Sequence, residues 1–495
     1  MNTFKRKSLY AALAGLSALG ATTAAEAVNV NPEGLGQVLI YPYYTTRADA
    51  AGNAYNSLLS VVNSTSSVKA VKVRFLEGKN SREVLDFNLF LSPYDVWTTA
   101  ILPSASGGAR IITTDRSCTL PIIPAGGVDF VNFAYTGSAD DKGGTSLDRT
   151  KEGYVEIIEM ATYSPGSDTA ERVTHDPPGG TPPGCDENND SDAAAEADAA
   201  TGGLFGGMTL INVGAGTDYT QDAVAIDGFY APFDFLYTDA GSLLPNLTSA
   251  SSPATSVVFN GSGGGFTNPG GVTTSTWPIG REVDAVSTVL MHSAVLNEYV
   301  LDAATRSGTD WVVTAPTKRF YVNVGTGNAP LLFQRNFNST AGACDDVTLN
   351  IYDREERTTS TPLTFSPPPP TGTTCLPWEA NVITFNNSNV LASTNNTNIS
   401  TPAGFQNGWL RLSFIPTTPG ATYHRLTNAN TTFVANDGTT FGPTTATYLG
   451  LPVVGFAVQS FTNGSLTVGG TATLSNYGGN FVHKYDPAIQ GNFID

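Results

Sequence analysis

The sequence predicts a mostly all-β protein: two β-sandwich-like domains of antiparallel strands and long loops, with one prominent helix near 284–306. Three observations carry this. Apolar and polar residues alternate at period 2 in many short runs, as in strands with one buried face. Clusters of Asn, Ser, Thr, Gly and Pro separate those runs and supply turns. One stretch alone switches to helical spacing.

In chain order, residues 1–27 have the form of a signal peptide. Lys5-Arg6-Lys7 is the basic region, Leu9 to Ala21 the apolar region and Ala25-Glu26-Ala27 the cleavage motif. Val38-Leu39-Ile40 then runs into Tyr41-Pro42-Tyr43-Tyr44, and the proline argues for an edge strand. Between Asn56 and Pro103 the pattern predicts a four-stranded meander: Leu58 to Val62, Val71 to Leu76, Leu85 to Leu91 and Asp95 to Leu102. Val71, Val73 and Phe75 form its buried face and Lys72 and Arg74 oppose them, with a turn at Glu77-Gly78-Lys79-Asn80. Gly153 to Met160 is a further strand. Residues 164–203, rich in Pro, Gly, Ala and acids, read as a long exposed, disordered loop. Strands resume at Met208 to Val213 and Ala223 to Ile226. Val286, Val289, Leu290, Leu296 and Val300 recur at helical spacing behind Asp284, the expected cap. Trp311-Val312-Val313, Phe320-Tyr321-Val322, Val347 to Tyr352, Asn381 to Phe385, Trp409 to Phe414 and Val453 to Phe461 return to strand. The domains are accordingly 28–238, interrupted by the loop, and 239–495, entered through the helix. A single interleaved sandwich is the alternative.

Charge and cysteine usage narrow the function. The formal charge is −18, and removing Lys5, Arg6, Lys7 and Glu26 takes it to −20. That sign argues against nucleic acid and anionic lipid as partners. No run of apolar residues is long enough for a transmembrane helix. Cys118, Cys185, Cys344 and Cys375 are an even count behind a signal peptide, so disulfides are expected. Three pairings are open. Nearness in sequence favours Cys118 with Cys185 and Cys344 with Cys375, contributing roughly 3–5 kcal/mol each.

Candidate sites are few. Asp186, Asn188, Asp190 and Asp192 alternate as in the first half of an EF-hand calcium loop, but Ser191 stands where glycine is needed and Ala197 replaces the bidentate acid. A solvated acidic loop is therefore preferred, no cofactor is expected, and calcium is the sole candidate metal. Tyr43, Tyr44 and Trp97 are the aromatics on which a glycan surface would rest, although core packing is the commoner fate of such side chains. No G-x-S-x-G elbow occurs, and His175, His292, His424 and His483 are scattered. Regular lipid-facing strands of a membrane barrel are not apparent.

Several phrases carry a resemblance. Gly36-Gln37-Val38-Leu39-Ile40-Tyr41-Pro42-Tyr43-Tyr44, Asn80-Ser81-Arg82-Glu83-Val84-Leu85-Asp86-Phe87-Asn88 and Leu91-Ser92-Pro93-Tyr94-Asp95-Val96-Trp97 are among them, as are Glu152 to Met160 and Pro316 to Asn323. With these the chain resembles an exported proteobacterial family usually described as cell-surface or hypothetical proteins. The resemblance implies surface location and assigns no catalytic residue. The expectation is a non-enzymatic, exported cell-surface or extracellular protein, structural or adhesive, with self-assembly open to it. Its partners would be copies of itself or glycans. The alternative is a carbohydrate-binding module or secreted glycan-active enzyme.

Overall fold

The computed structural model describes residues 27–176, 180–260, 270–322, 332–338, 341–366, 374–436, 438–486 and 489–491. All of the signal segment but Ala27 lies outside them. The fold is all-β and sandwich-like, made of several antiparallel sheets with few and short helices.

Strands up to Asp227 form two sheets. The seven-stranded sheet has the order Asn29–Val30, Val224–Asp227, Val38–Thr45, Glu152–Tyr163, Val68–Glu77, Glu83–Leu91, Thr119–Leu120. The six-stranded sheet has the order Thr217–Asp222, Leu204–Asn212, Asn56–Asn63, Val96–Pro103, Ala109–Ile112, Val128–Asp129. The four strands between Asn56 and Pro103 therefore exist but are no meander. The inner pair belongs to the seven-stranded sheet and the outer pair to the six-stranded one. The side chain of Asn63, fully buried at the crossing, donates to the carbonyls of Ser67 and Ser92 and ties the two sheets there.

The seven-stranded sheet is covered on both faces, which corrects two expectations. Every residue of Val68–Glu77 is buried, Lys72 and Arg74 included. Val38–Thr45 is buried throughout, and Val38–Ile40 lies between two partners, so the strand is not an edge there. Its proline is tolerated because Pro42 lies past the pairing with Val224–Asp227, which ends at Ile40, and at a register break in the ladder with Glu152–Tyr163. Charged residues on both faces are held as ion pairs: Arg74 with Glu156 at 2.6 Å and Glu83 at 2.8 Å on the second face, and Lys69 with Glu159 at 2.5 Å on the face of Val71 and Val73. Alternation alone cannot distinguish a solvated polar face from a buried, paired one.

Strands from Thr255 onward form three larger sheets. One contains Asn396–Ile399, Ala380–Phe385, Gly308–Thr314, Val454–Val468 and Thr471–Val482, and its first pair is parallel. A four-stranded sheet contains Thr348–Asp353, Asn407–Ser413, Ala294–Val300 and Lys484–Asp486. The third contains Thr255–Asn260, Gly271–Thr276, Arg425–Ala435, Thr440–Leu449 and Ile489–Gly491.

The expected helix at 284–306 is real only over Glu282–Val289. Beyond Leu290 the chain becomes the strand Ala294–Val300, which pairs with Asn407–Ser413 on one side and Lys484–Asp486 on the other. Val295, Tyr299 and Val300 suit a pleated surface, and a two-sided ladder overrides the helical spacing. Asp284 sits inside the first turn rather than at the cap, where its carboxylate accepts from Tyr321 Oη at 2.5 Å. The expected strand at Phe320-Tyr321-Val322 is instead a short helical turn, Arg319–Val322.

The described residues of the segment 164–203 are also not a disordered loop. Asp168–Val173 and Asp190–Ala195 are short helices capped by Ser167 and Asn189. Ala170, Val173 and Ala193 pack with Val68, Phe90 and Met160 as a small third core. Cys118 is bonded to Cys185, and Cys344 to Cys375. Among the described residues no helix is long and apolar enough to cross a membrane.

Candidate functional site

The aromatics singled out in the sequence are core side chains. Tyr43, Tyr44 and Trp97 are at most 1% exposed, so they present no surface to a glycan. Tyr43 Oη donates to Glu152 at 2.8 Å, and the Tyr44 ring meets Phe75 and Phe130 edge-on. A more accessible aromatic pair stands elsewhere: exposed Trp409 and half-buried Tyr352, opposite one another on the four-stranded sheet, with ring centroids 4.3 Å apart.

The acidic alternation does not converge as a ligand set. Asp190 accepts from Asn88 Nδ2 at 2.9 Å, Tyr237 Oη at 2.8 Å and the Ala240 amide at 3.0 Å. Asp192 pairs with Arg172 at 2.7 Å, Asp186 is exposed and Asn188 is buried. Asp190 and Asp192 are turned to different partners, and among the described residues the four do not come together as a group that could hold a cation.

What the fold does assemble is a set of buried polar links between strands distant in sequence. The turn after Val68–Glu77 is organised by Glu77, whose carboxylate accepts from the amides of Lys79, Asn80 and Arg82 and pairs with Arg149 at 2.7 Å. This turn carries Ser81 in the left-handed region, φ 48°, and pushes it into the C-terminal half. There the Ser81 hydroxyl donates to Glu379 and accepts from Tyr154 Oη at 2.8 Å, while Arg319 donates to the Ser81 carbonyl at 2.8 Å. The amides of Glu379 and Ala380 both donate to the Gly78 carbonyl. Burial pushes the Glu379 carboxyl up to about 8, against the lowering effects of Ser81, Lys318 and Arg319. Glu379 Oε1, Arg74 Nη2 and Glu156 Oε1 are buried without a hydrogen-bond partner among the described residues. Glu152 makes a second link, accepting from Arg47 and from Ser393 and Thr394 across the halves.

A third group joins Lys318, Asp345 and His424, all at most 2% exposed. Lys318 Nζ lies 2.7 Å from Asp345 Oδ2, and donates to the carbonyls of Leu376 and Trp378. His424 Nε2 lies 3.4 Å from Asp345 Oδ1, which also accepts from the Gln334 amide at 2.7 Å. Burial alone would raise the Asp345 carboxyl, but Lys318 and His424 outweigh it and hold it below the usual range. Sequence reading missed these groups because no local spacing joins them. The dibasic Lys318-Arg319 between Pro316 and Phe320 was the one visible signal, and it does not reveal its acidic partners.

Among the described residues two clefts open on the surface. One, of about 910 Å³, lies between the sheets and is lined by Val30, Val224, Val258, Leu290 and Val454, with Asp222 and Asp486 but no lysine or arginine. His292 stacks on Tyr485 there with centroids 3.9 Å apart, and burial together with His483 pushes His292 down to about 3, which leaves it neutral. Such a lining suits uncharged apolar groups and repels anions. The other, of about 670 Å³, is a shallow concavity on the outer face of the six-stranded sheet. Register places Phe205, Val62 and Val96 in one cross-strand row and Leu58, Ala100 and Ile112 in another. Leu58, Val96 and Phe205 are between 42% and 48% exposed, in two apolar rows separated by the row of Gly207, Ser60 and Thr98 on an uncovered sheet.

No protein-family model, no curated protein and no solved structure matches this chain.

Proposed function

We propose that the protein is an exported, non-enzymatic structural or adhesive component of the cell surface or extracellular space that associates with copies of itself. The observation that carries this reading is the uncovered face of the six-stranded sheet, where the Phe205 and Leu58 rows offer an apolar contact to a second sheet. Two disulfides and the buried polar links support it, because they favour a rigid building block. Association of copies through Val38 to Tyr41 is not part of the proposal, since Val38–Ile40 already has ladder partners on both sides.

Electron microscopy of the purified mature protein, and of antibody-labelled material sheared from producing cells, tests the proposal. Labelled filaments, sheets or discrete oligomers are expected, and Leu58→Asp with Phe205→Asp should disperse them while leaving the circular dichroism spectrum unchanged. Strictly monomeric wild-type particles over a wide concentration range, with no labelled surface material, would sink it.

A further inference from the structure

Most buried lysines here are held as ordinary ion pairs. Lys69 meets a fully satisfied carboxylate: Glu159 Oε1 accepts from Lys69 Nζ and the Thr201 amide, and Oε2 from the Gly202 amide. Lys318 and Asp345 differ. Asp345 Oδ2 accepts no hydrogen bond among the described residues, although Lys318 Nζ is only 2.7 Å away. The contact is a close approach of Nζ to Oδ2 without the geometry of a hydrogen bond. The other oxygen, Oδ1, is fixed by the Gln334 amide and faces His424. His424 Nδ1 lies 2.7 Å from the Phe414 carbonyl and must donate to it, so Nε2 meets Oδ1 favourably only with a proton between them. Phe333 and Phe414 are fully buried beside the group, and the Phe333 ring centroid is 5.6 Å from Lys318 Nζ.

We infer that Lys318 and Asp345 condense after folding into an intramolecular isopeptide bond, with His424 as the proton carrier. The ion pair first moves one proton from nitrogen to the carboxyl, giving amine and acid. The Lys318 nitrogen then bonds to Asp345 Cγ, and the Gln334 amide and the His424 Nε2 proton stabilise charge on Oδ1. The Cγ–Oδ2 bond breaks, and Oδ2 leaves as water with two of the three protons that began on the ammonium. The third remains on the amide nitrogen. No oxidant or co-reactant is required. Fixed juxtaposition replaces the encounter of two free groups, an advantage equivalent to effective molarities on the order of 10⁵ M or more. Burial supplies the drive, because two charges in a low-dielectric interior become one neutral amide. The bond would lock the two sides of the segment 319–344 independently of the Cys344–Cys375 disulfide, and it stands whether or not the protein self-associates.

Mass spectrometry of the reduced, purified mature protein tests this directly. The expected chain is lighter by one water than its sequence. Proteolysis should yield a branched peptide joining the Lys318 and Asp345 fragments, with tryptic cleavage after Lys318 lost. Lys318→Met and Asp345→Ala should restore the full mass, and Asp345→Asn should lose ammonia in place of water. Recovery of both unmodified peptides from wild-type protein, or a water loss located elsewhere, overturns the inference, and neither result depends on a variant folding.

Discussion

Burial of Glu379 against the Ser81 hydroxyl holds its carboxyl at about 8, so the folded chain keeps a proton that the unfolded chain releases near 4.5. A pKa raised by folding means stability that is complete below 4.5 and lost as pH rises through 8, with a slope of at most about 1.4 kcal/mol per pH unit. Glu379→Gln is neutral at every pH and removes that slope. Its melting temperature is expected to match wild type near pH 5 and to exceed it near pH 9, as read by thermal denaturation across pH. His483 supplies the internal control. Burial pushes it down to about 4, with Nε2 donating to the Val312 carbonyl and Nδ1 accepting from Asn297, so its contribution is present above 6.5 and lost as pH falls through 4. The acid limb should therefore survive in the variant, and parallel profiles for variant and wild type would show that Glu379 is not the titrating group. At this scale the sequence is least legible. Lys72 and Arg74 read as opposing the buried face because polar residues at period 2 usually do, yet both are buried. Tyr44 and Trp97 are indistinguishable from surface aromatics until the second sheet is in place.

Strands were more legible than helices because each needs only local alternation, and those between Asn56 and Pro103 fall within a few residues of expectation. Their partners were not legible, since sheet membership depends on which turn crosses between layers, as at Asn63. The segment 164–203 failed for a different reason. Its composition has too little apolar surface for a core of its own, but small residues such as Ala170 and Ala193 suffice when an existing sheet supplies the other face. The Cys118–Cys185 bond then tethers it across 67 residues. Closing a loop of that length is worth about 4 kcal/mol by the chain-entropy argument. The double variant Cys118→Ser, Cys185→Ser should lower the urea midpoint accordingly and admit protease between residues 164 and 203. An unchanged midpoint with full protease resistance would assign the order of this segment to packing alone.

At the scale of the whole molecule, the sheets divide between Asp227 and Thr255 but the cores do not. One core combines Val38, Ile40, Tyr154 and Ile158 with Trp311, Val313 and Leu410. The other combines Leu39, Tyr41, Phe75 and Ile157 with Val312, Val382 and Phe456. Thus Val38–Thr45 and Gly308–Thr314 each contribute to both, and Thr314 Oγ1 donates to the Pro42 carbonyl at 2.7 Å where they meet. Cutting the chain at 238 would expose one face of the seven-stranded sheet, together with Glu152 deprived of Ser393 and Thr394. Uncompensated buried charge and uncovered apolar area both penalise the isolated half. The full chain is therefore expected to unfold in one calorimetric transition, and the 28–238 fragment, refolded with its disulfide intact, to bind a hydrophobic dye and lack a sharp transition. A fragment that melts cooperatively without dye binding would make the halves autonomous domains. The shared cores would then be an interface between finished units, and the links through Ser81, Glu152 and Thr314 would be docking contacts rather than part of a single folding unit.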